Sequence, residues 1–60
     1  MQLLTLAEAA RLLGLRLSTI RFWVWTRKIA YVKVGRSVRI PDTVVQELIQ
    51  RGTVPARHSR

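Results

Sequence analysis

The stretch TLAEAARLLGLRLSTI, residues 5–20, limits the fold more than any other part of the chain. Thr5 and Glu8 stand at capping-box spacing, at which hydroxyl and carboxylate each satisfy a backbone N–H that a helix start leaves unpaired. Leu4 is placed to staple onto Ala9. Leu6, Ala9, Ala10 and Leu13 recur at helical spacing on one face, while Glu8 and Arg11 point outward. Gly14 supplies the left-handed residue that ends a helix. A helix is therefore expected over 5–13. After the linking residues Leu15 to Leu17, Ser18 is the expected cap of a second helix over 19–28. Two helices joined by so short a glycine-containing turn cross steeply in a helix-turn-helix, although an ordinary helical hairpin fits these residues equally well. In the helix-turn-helix, Ala10 is small so that the second helix approaches closely, and Ile20 locks it.

Further on, Tyr31 to Val34 and Val38 to Ile40 alternate as strands do, which predicts a hairpin 31–34/38–40 around Gly35-Arg36-Ser37. Gly35 at the first turn position suits a two-residue type II′ loop, whereas inside-outside alternation asks for a longer one. Alternation is taken as the stronger signal. It sets Val34 opposite Val38 and Val32 opposite Ile40, with all four on one face and Tyr31, Lys33 and Arg39 on the other. A third helix over 41–51 opens with Pro41 in its first turn and Asp42 beside its positive end. Val45, Leu48 and Ile49 form its expected buried stripe, with Val44 at the margin, and Gly52 closes it. The fold class is mostly α with a small β-hairpin. Residues 1–52 are read as one domain, and 53–60 as a flexible basic tail whose Arg57 and Arg60 add nonspecific attraction.

The second helix is overloaded. STIRFWVWTRK, residues 18–28, holds both tryptophans and the only phenylalanine of the chain. At about 100° per residue, Ile20, Trp23, Val24 and Arg27 fall on one side, and Ser18, Arg21, Phe22, Trp25 and Thr26 on the other. Trp23 belongs to the core. Phe22 and Trp25 do not, because a sixty-residue chain buries only about 60% of its unfolded surface and cannot wrap one helix on every side. Single exposed apolar residues are common, but two rings beside Arg21 make a contact surface.

Eleven Lys and Arg against three acids give a net charge of +8, which a polyanion would relieve. Nine of the eleven are Arg, the residue that forks onto phosphate and guanine edges, so nucleic acid leads and an anionic membrane surface follows. No apolar run nears the roughly 20 residues that span a bilayer, and the start lacks a basic region followed by an apolar one. The reading is a cytoplasmic, nucleoid-associated protein with no membrane partner. Enzymatic chemistry is not expected: His58, the sole histidine, lies in the tail, the three carboxylates are scattered, and no glycine-rich phosphate loop or metal-ligand spacing occurs. No cofactor is expected either.

Ala10, Gly14 and Ser18-Thr19-Ile20-Arg21-Phe22-Trp23, followed by Val32 to Pro41, resemble the winged helix-turn-helix of the MerR superfamily, and most of all its small excisionase-like members. The resemblance covers residues 3 to about 51. It implies a recognition helix in the major groove of double-stranded DNA and a hairpin wing along the backbone or adjacent minor groove. Carried over by position, Thr19, Arg21, Phe22 and Trp25 face the groove, and Arg36, Ser37 and Arg39 serve the wing. Ser18 is expected among the DNA-binding residues as well, and the wing and helix-end bases Lys28, Lys33, Arg36 and Arg39 are read as the backbone contacts. The family's regulators continue into a second wing, a dimerising coiled coil and an effector pocket. Their absence here leads to the expectation of an architectural or recombination directionality factor without a small-molecule effector, bound cooperatively with copies of itself on adjacent sites or beside a recombinase. Ala30 stands where the family often has proline. A small transcriptional regulator is the alternative within the family. From another class, the rival is a protein-interaction module that inserts Phe22 and Trp25 into a partner. A membrane-surface peptide is less favoured, because its charge belongs opposite the aromatics; RNA binding lacks an aromatic-bearing sheet.

Overall fold

The computed structural model describes residues 1–54. A two-residue strand β1 (Leu3–Leu4) precedes helix α1 (Leu6–Leu13); helix α2 (Leu17–Trp25), strands β2 (Val32–Val34) and β3 (Ser37–Pro41) and helix α3 (Asp42–Gly52) follow. The architecture is a winged helix-turn-helix: three helices with a small antiparallel hairpin.

α1 starts as its sequence dictates. The Glu8 N–H donates to Thr5 Oγ1 at 3.0 Å and the Thr5 N–H donates to Glu8 Oε1 at 2.8 Å, so the capping box is complete. The Thr5 backbone bond holds the Glu8 carboxyl below the usual glutamate range, and Arg11 and Arg39 add smaller attractions. Gly14 ends the helix at φ 68°. Its N–H donates to Arg11 O, and the Leu15 N–H donates to Ala10 O at 2.9 Å, the paired bonds of a Schellman terminator.

α2 departs from expectation at both ends. It begins at Leu17, two residues early, with Arg16 as N-cap and no side-chain cap bond, so Ser18 sits inside the first turn and does not cap. The Arg16 carbonyl accepts from both Thr19 and Ile20, which fixes the earlier start. The helix ends at Trp25, not Lys28, because Arg27 takes a left-handed φ of 59°. Arg27 therefore leaves the helix and does not lie on its core side; it is exposed. The Arg27 N–H donates to Val24 O and the Lys28 N–H to Trp23 O, repeating the terminator of α1 without a glycine.

The hairpin register also differs from expectation. Val32 faces Arg39, Lys33 faces Val38 and Val34 faces Ser37, so the turn is the two-residue Gly35-Arg36. Gly35 has φ 60° while Arg36 does not have positive φ, the II′ pattern. Turn geometry prevails over alternation because the hairpin is short and largely in water: Val34 is 54% exposed and has no core to reach. Opposed residues share a face, so Lys33 joins Val38 and Ile40 on the inner side, while Val32, Val34 and Arg39 lie on the other. β1, which the sequence did not announce, pairs with β3 through Leu3↔Pro41 and Leu4↔Ile40, giving the order β1-β3-β2.

The core gathers Leu4, Ala9, Ala10, Ile20, Ile29, Ile40 and Val45, with Trp23, Val24, Val44 and Leu48 packed against it. Ile20 is fully buried and Ala10 nearly so, as the close approach of α1 and α2 requires. Pro41 ends β3 and caps α3, which begins one residue later at Asp42. Asp42 also fastens the N-terminal strand, its N–H donating to Gln2 O at 2.8 Å and its Oδ1 accepting from the Gln2 N–H at 3.2 Å. Ile49 leaves the expected stripe and is 43% exposed: α3 rests on α1 and β3 through Val45, with Val44 and Leu48 packed against the core, and Ile49 falls at the edge of that contact. Gly52 is the last helical residue and Thr53 is the C-cap. The tail arginines Arg57 and Arg60 and His58 lie outside the described residues.

Candidate nucleic-acid interface

Ser18, Arg21, Phe22 and Trp25 follow one another at intervals of three, one and three residues, so they form a single stripe along α2. All four are exposed, Phe22 by 58% and Trp25 by 83%. Ile20, on the opposite side, is fully buried, and Trp23 packs against the core. α2 is thus held by its inner face and presents two rings and a guanidinium on its outer one.

Beside this stripe runs an open groove between α2 and the hairpin. Arg21, Trp25 and Arg27 line one wall, Tyr31 and Lys33 the other, and Val24 and Val38 belong to the same lining. The inward turn of Lys33, set by the two-residue hairpin loop, is what brings its ammonium into the groove. Among the described residues three cations line the groove and no acid does. The three carboxylates are engaged elsewhere: Glu8 in the capping box, Asp42 with Gln2, and Glu47 4.0 Å from Arg51 on exposed α3. A low-charge partner would leave the cations of the groove repelling one another, whereas a polyanion neutralises them.

The family model described as helix-turn-helix domain matches residues 3–53, which span every element just described. The chain belongs to the helix-turn-helix domain family. No curated protein and no solved structure matches it. A helix-turn-helix places its second helix against DNA, and in this helix-turn-helix chain the second helix is the one carrying the exposed rings. DNA binding is the function that family membership supports.

The remaining expected site residues are distributed unevenly around this helix-turn-helix. Thr19 is half-buried at the margin of the stripe. Lys28 extends over the Trp23 ring, its Nζ 5.5 Å from the centroid, so the two residues whose backbones close the α2 terminator also meet through their side chains. Arg36 and Ser37 are exposed at the hairpin tip. Arg39 is half-buried on the hairpin face opposite Lys33, and its guanidinium donates to Val38 O at 3.0 Å. The structure thus brings Arg21, Trp25 and Lys33 together and sets Arg39 apart. It also adds two residues to the groove that sequence reasoning had not counted among the site, Arg27 and Tyr31. The alternation of the strand was a partial signal for Tyr31; nothing in the sequence signalled Arg27. Among the described residues no group of His, Cys, Asp and Glu is placed to hold a metal ion, and no helix is long and apolar enough to cross a membrane.

Proposed function

We propose that this chain binds double-stranded DNA sequence-selectively, with α2 in the major groove and the hairpin lying along the sugar-phosphate backbone. The observation that carries the proposal is the outward stripe of Arg21, Phe22 and Trp25 beside an acid-free groove. In this reading Arg21 contacts a base edge, while Lys28, Lys33, Arg36 and Arg39 contact phosphates; Ser18, Thr19 and Ser37 supply hydroxyl contacts. Residues 1–52 form the binding unit, and the basic tail adds nonspecific attraction. A single module buries roughly 600 to 1,000 Å² of protein on DNA, which is modest for finding one site in a genome. Several copies therefore act together on adjacent sites, and the role is architectural or recombination-directing, in excisionase-like fashion.

Selection of preferred sites from random duplexes tests this directly. Enriched sequences are expected to contain repeated half-sites, and Arg21→Ala is expected to lose about 1 to 3 kcal/mol of discrimination at a guanine position. A selected pool no different from the starting pool refutes sequence-selective binding. Equal weakening of all sequences by Arg21→Ala moves that residue from base reading to phosphate contact.

A further inference from the structure

α1 and α2 end in the same terminator, yet they use different residues for its strained position. In α1 the left-handed residue is Gly14, at φ 68°. In α2 it is Arg27, at φ 59°, the one non-glycine residue with positive φ among those described. A Cβ is penalised in this conformation, and glycine is the ordinary choice for it. The fold does not need the arginine side chain: Arg27 is exposed, and its guanidinium makes no hydrogen bond or ion pair with another described residue. Strain kept in the backbone without any gain in packing points to a use outside the fold.

The position of the side chain indicates that use. Arg27 lines the groove between α2 and the hairpin together with Arg21 and Lys33, and also lines the adjoining depression below it, shared with Tyr31 and Lys33. Arg27 and Lys33 are common to both hollows, so two cations flank the passage from the recognition helix to the hairpin, with the Tyr31 phenol beside them. We propose that Arg27, with Lys33 across from it, seats one phosphate of the DNA backbone where the strand passes between α2 and the hairpin. The left-handed turn takes the side chain off the helix and into the lining of that passage; continued as regular helix, α2 would place it on the side of Ile20, Trp23 and Val24. The inference rests on the DNA-binding reading and adds to it a contact that sequence position alone did not assign.

Arg27→Gly separates the two roles of the residue. It relieves the strain while removing the charge, so the chain is expected to melt about 4 to 8 °C higher and still bind mixed-sequence duplex less tightly. The slope of log K against log salt is expected to fall by about 0.9, one phosphate contact. Arg27→Lys keeps both charge and strain, and its slope and melting temperature are expected to stay near those of the wild type. An Arg27→Gly chain that melts higher and keeps the wild-type slope overturns this inference alone. A wild-type chain with no salt-dependent binding to duplex overturns it together with the DNA-binding reading.

Discussion

Trp25→Ala separates a contact surface from a core, and its effect on stability follows from the exposure of the ring. Trp25 keeps 83% of its surface in water, so folding removes only about 40 Å² of a side chain whose full burial is about 250 Å². At about 25 cal/mol per Å² the lost burial is worth about 1 kcal/mol, an upper limit for a ring on an exposed helix face. A ring of the same kind held in a core costs about 3 to 5 kcal/mol when truncated, and the total stability of a sixty-residue chain is only about 3 to 9 kcal/mol. Urea unfolding followed by the remaining Trp23 fluorescence gives the stability, and anisotropy titration of labelled duplex gives the affinity. The midpoint is expected to move little, while affinity falls tenfold or more, equivalent to about 1.4 kcal/mol. A loss of stability above about 2 kcal/mol with unchanged affinity refutes the reasoning, because the ring would then serve the fold.

Gly14→Ala is expected to destabilise the chain by about 1 to 2 kcal/mol, measured by thermal melting. An added Cβ meets nothing within 4 Å, so the loss is purely one of backbone conformation, and Gly52→Ala in α3 should show none of it. The Glu8 carboxyl is held below the ordinary glutamate value of 4.5, so its contribution is full above that value and is lost as pH falls through the lowered folded one. Glu8→Gln is expected to make stability less dependent on pH across that acid window, and equal acid limbs in urea unfolding would rule this out. Arg36→Ala at the hairpin tip is expected to lower the salt slope of DNA binding by about 0.9; a wild-type slope removes the tip from the interface.

The parts of this fold that were legible in the sequence are those determined by neighbours. Thr5 and Glu8 bond across three residues and Gly14 acts on its own backbone, so α1 could be read at both ends. The outward rings were legible too, since Ile20 and Trp23 fix the inner face of α2 and leave Phe22 and Trp25 no interior to occupy. The ends of α2 were not. Ser18 carries the cap chemistry but Arg16 takes the cap position, and Arg27 breaks the helix with no glycine to announce it. The hairpin offered two conflicting signals, and the local one at Gly35 won because Val32 and Val34 were never needed in the core. β1 and the burial of Ile29 depend on chain segments distant in sequence, and neither shows a period that could be read. Within the interface, Lys33 reaches the groove only through the register of the hairpin, which is why its company with Arg27 and Tyr31 emerged from the structure.

Trp23→Phe leaves Trp25 as the sole tryptophan, with an aromatic ring retained at the position beneath Lys28. Titrating this variant with duplex DNA while following tryptophan emission tests most directly whether the outer face of α2 meets DNA. A saturable change in emission that salt reverses is the expected result. Duplex binding detected by anisotropy with Trp25 emission unaltered would contradict it, because DNA would then be held by some other face.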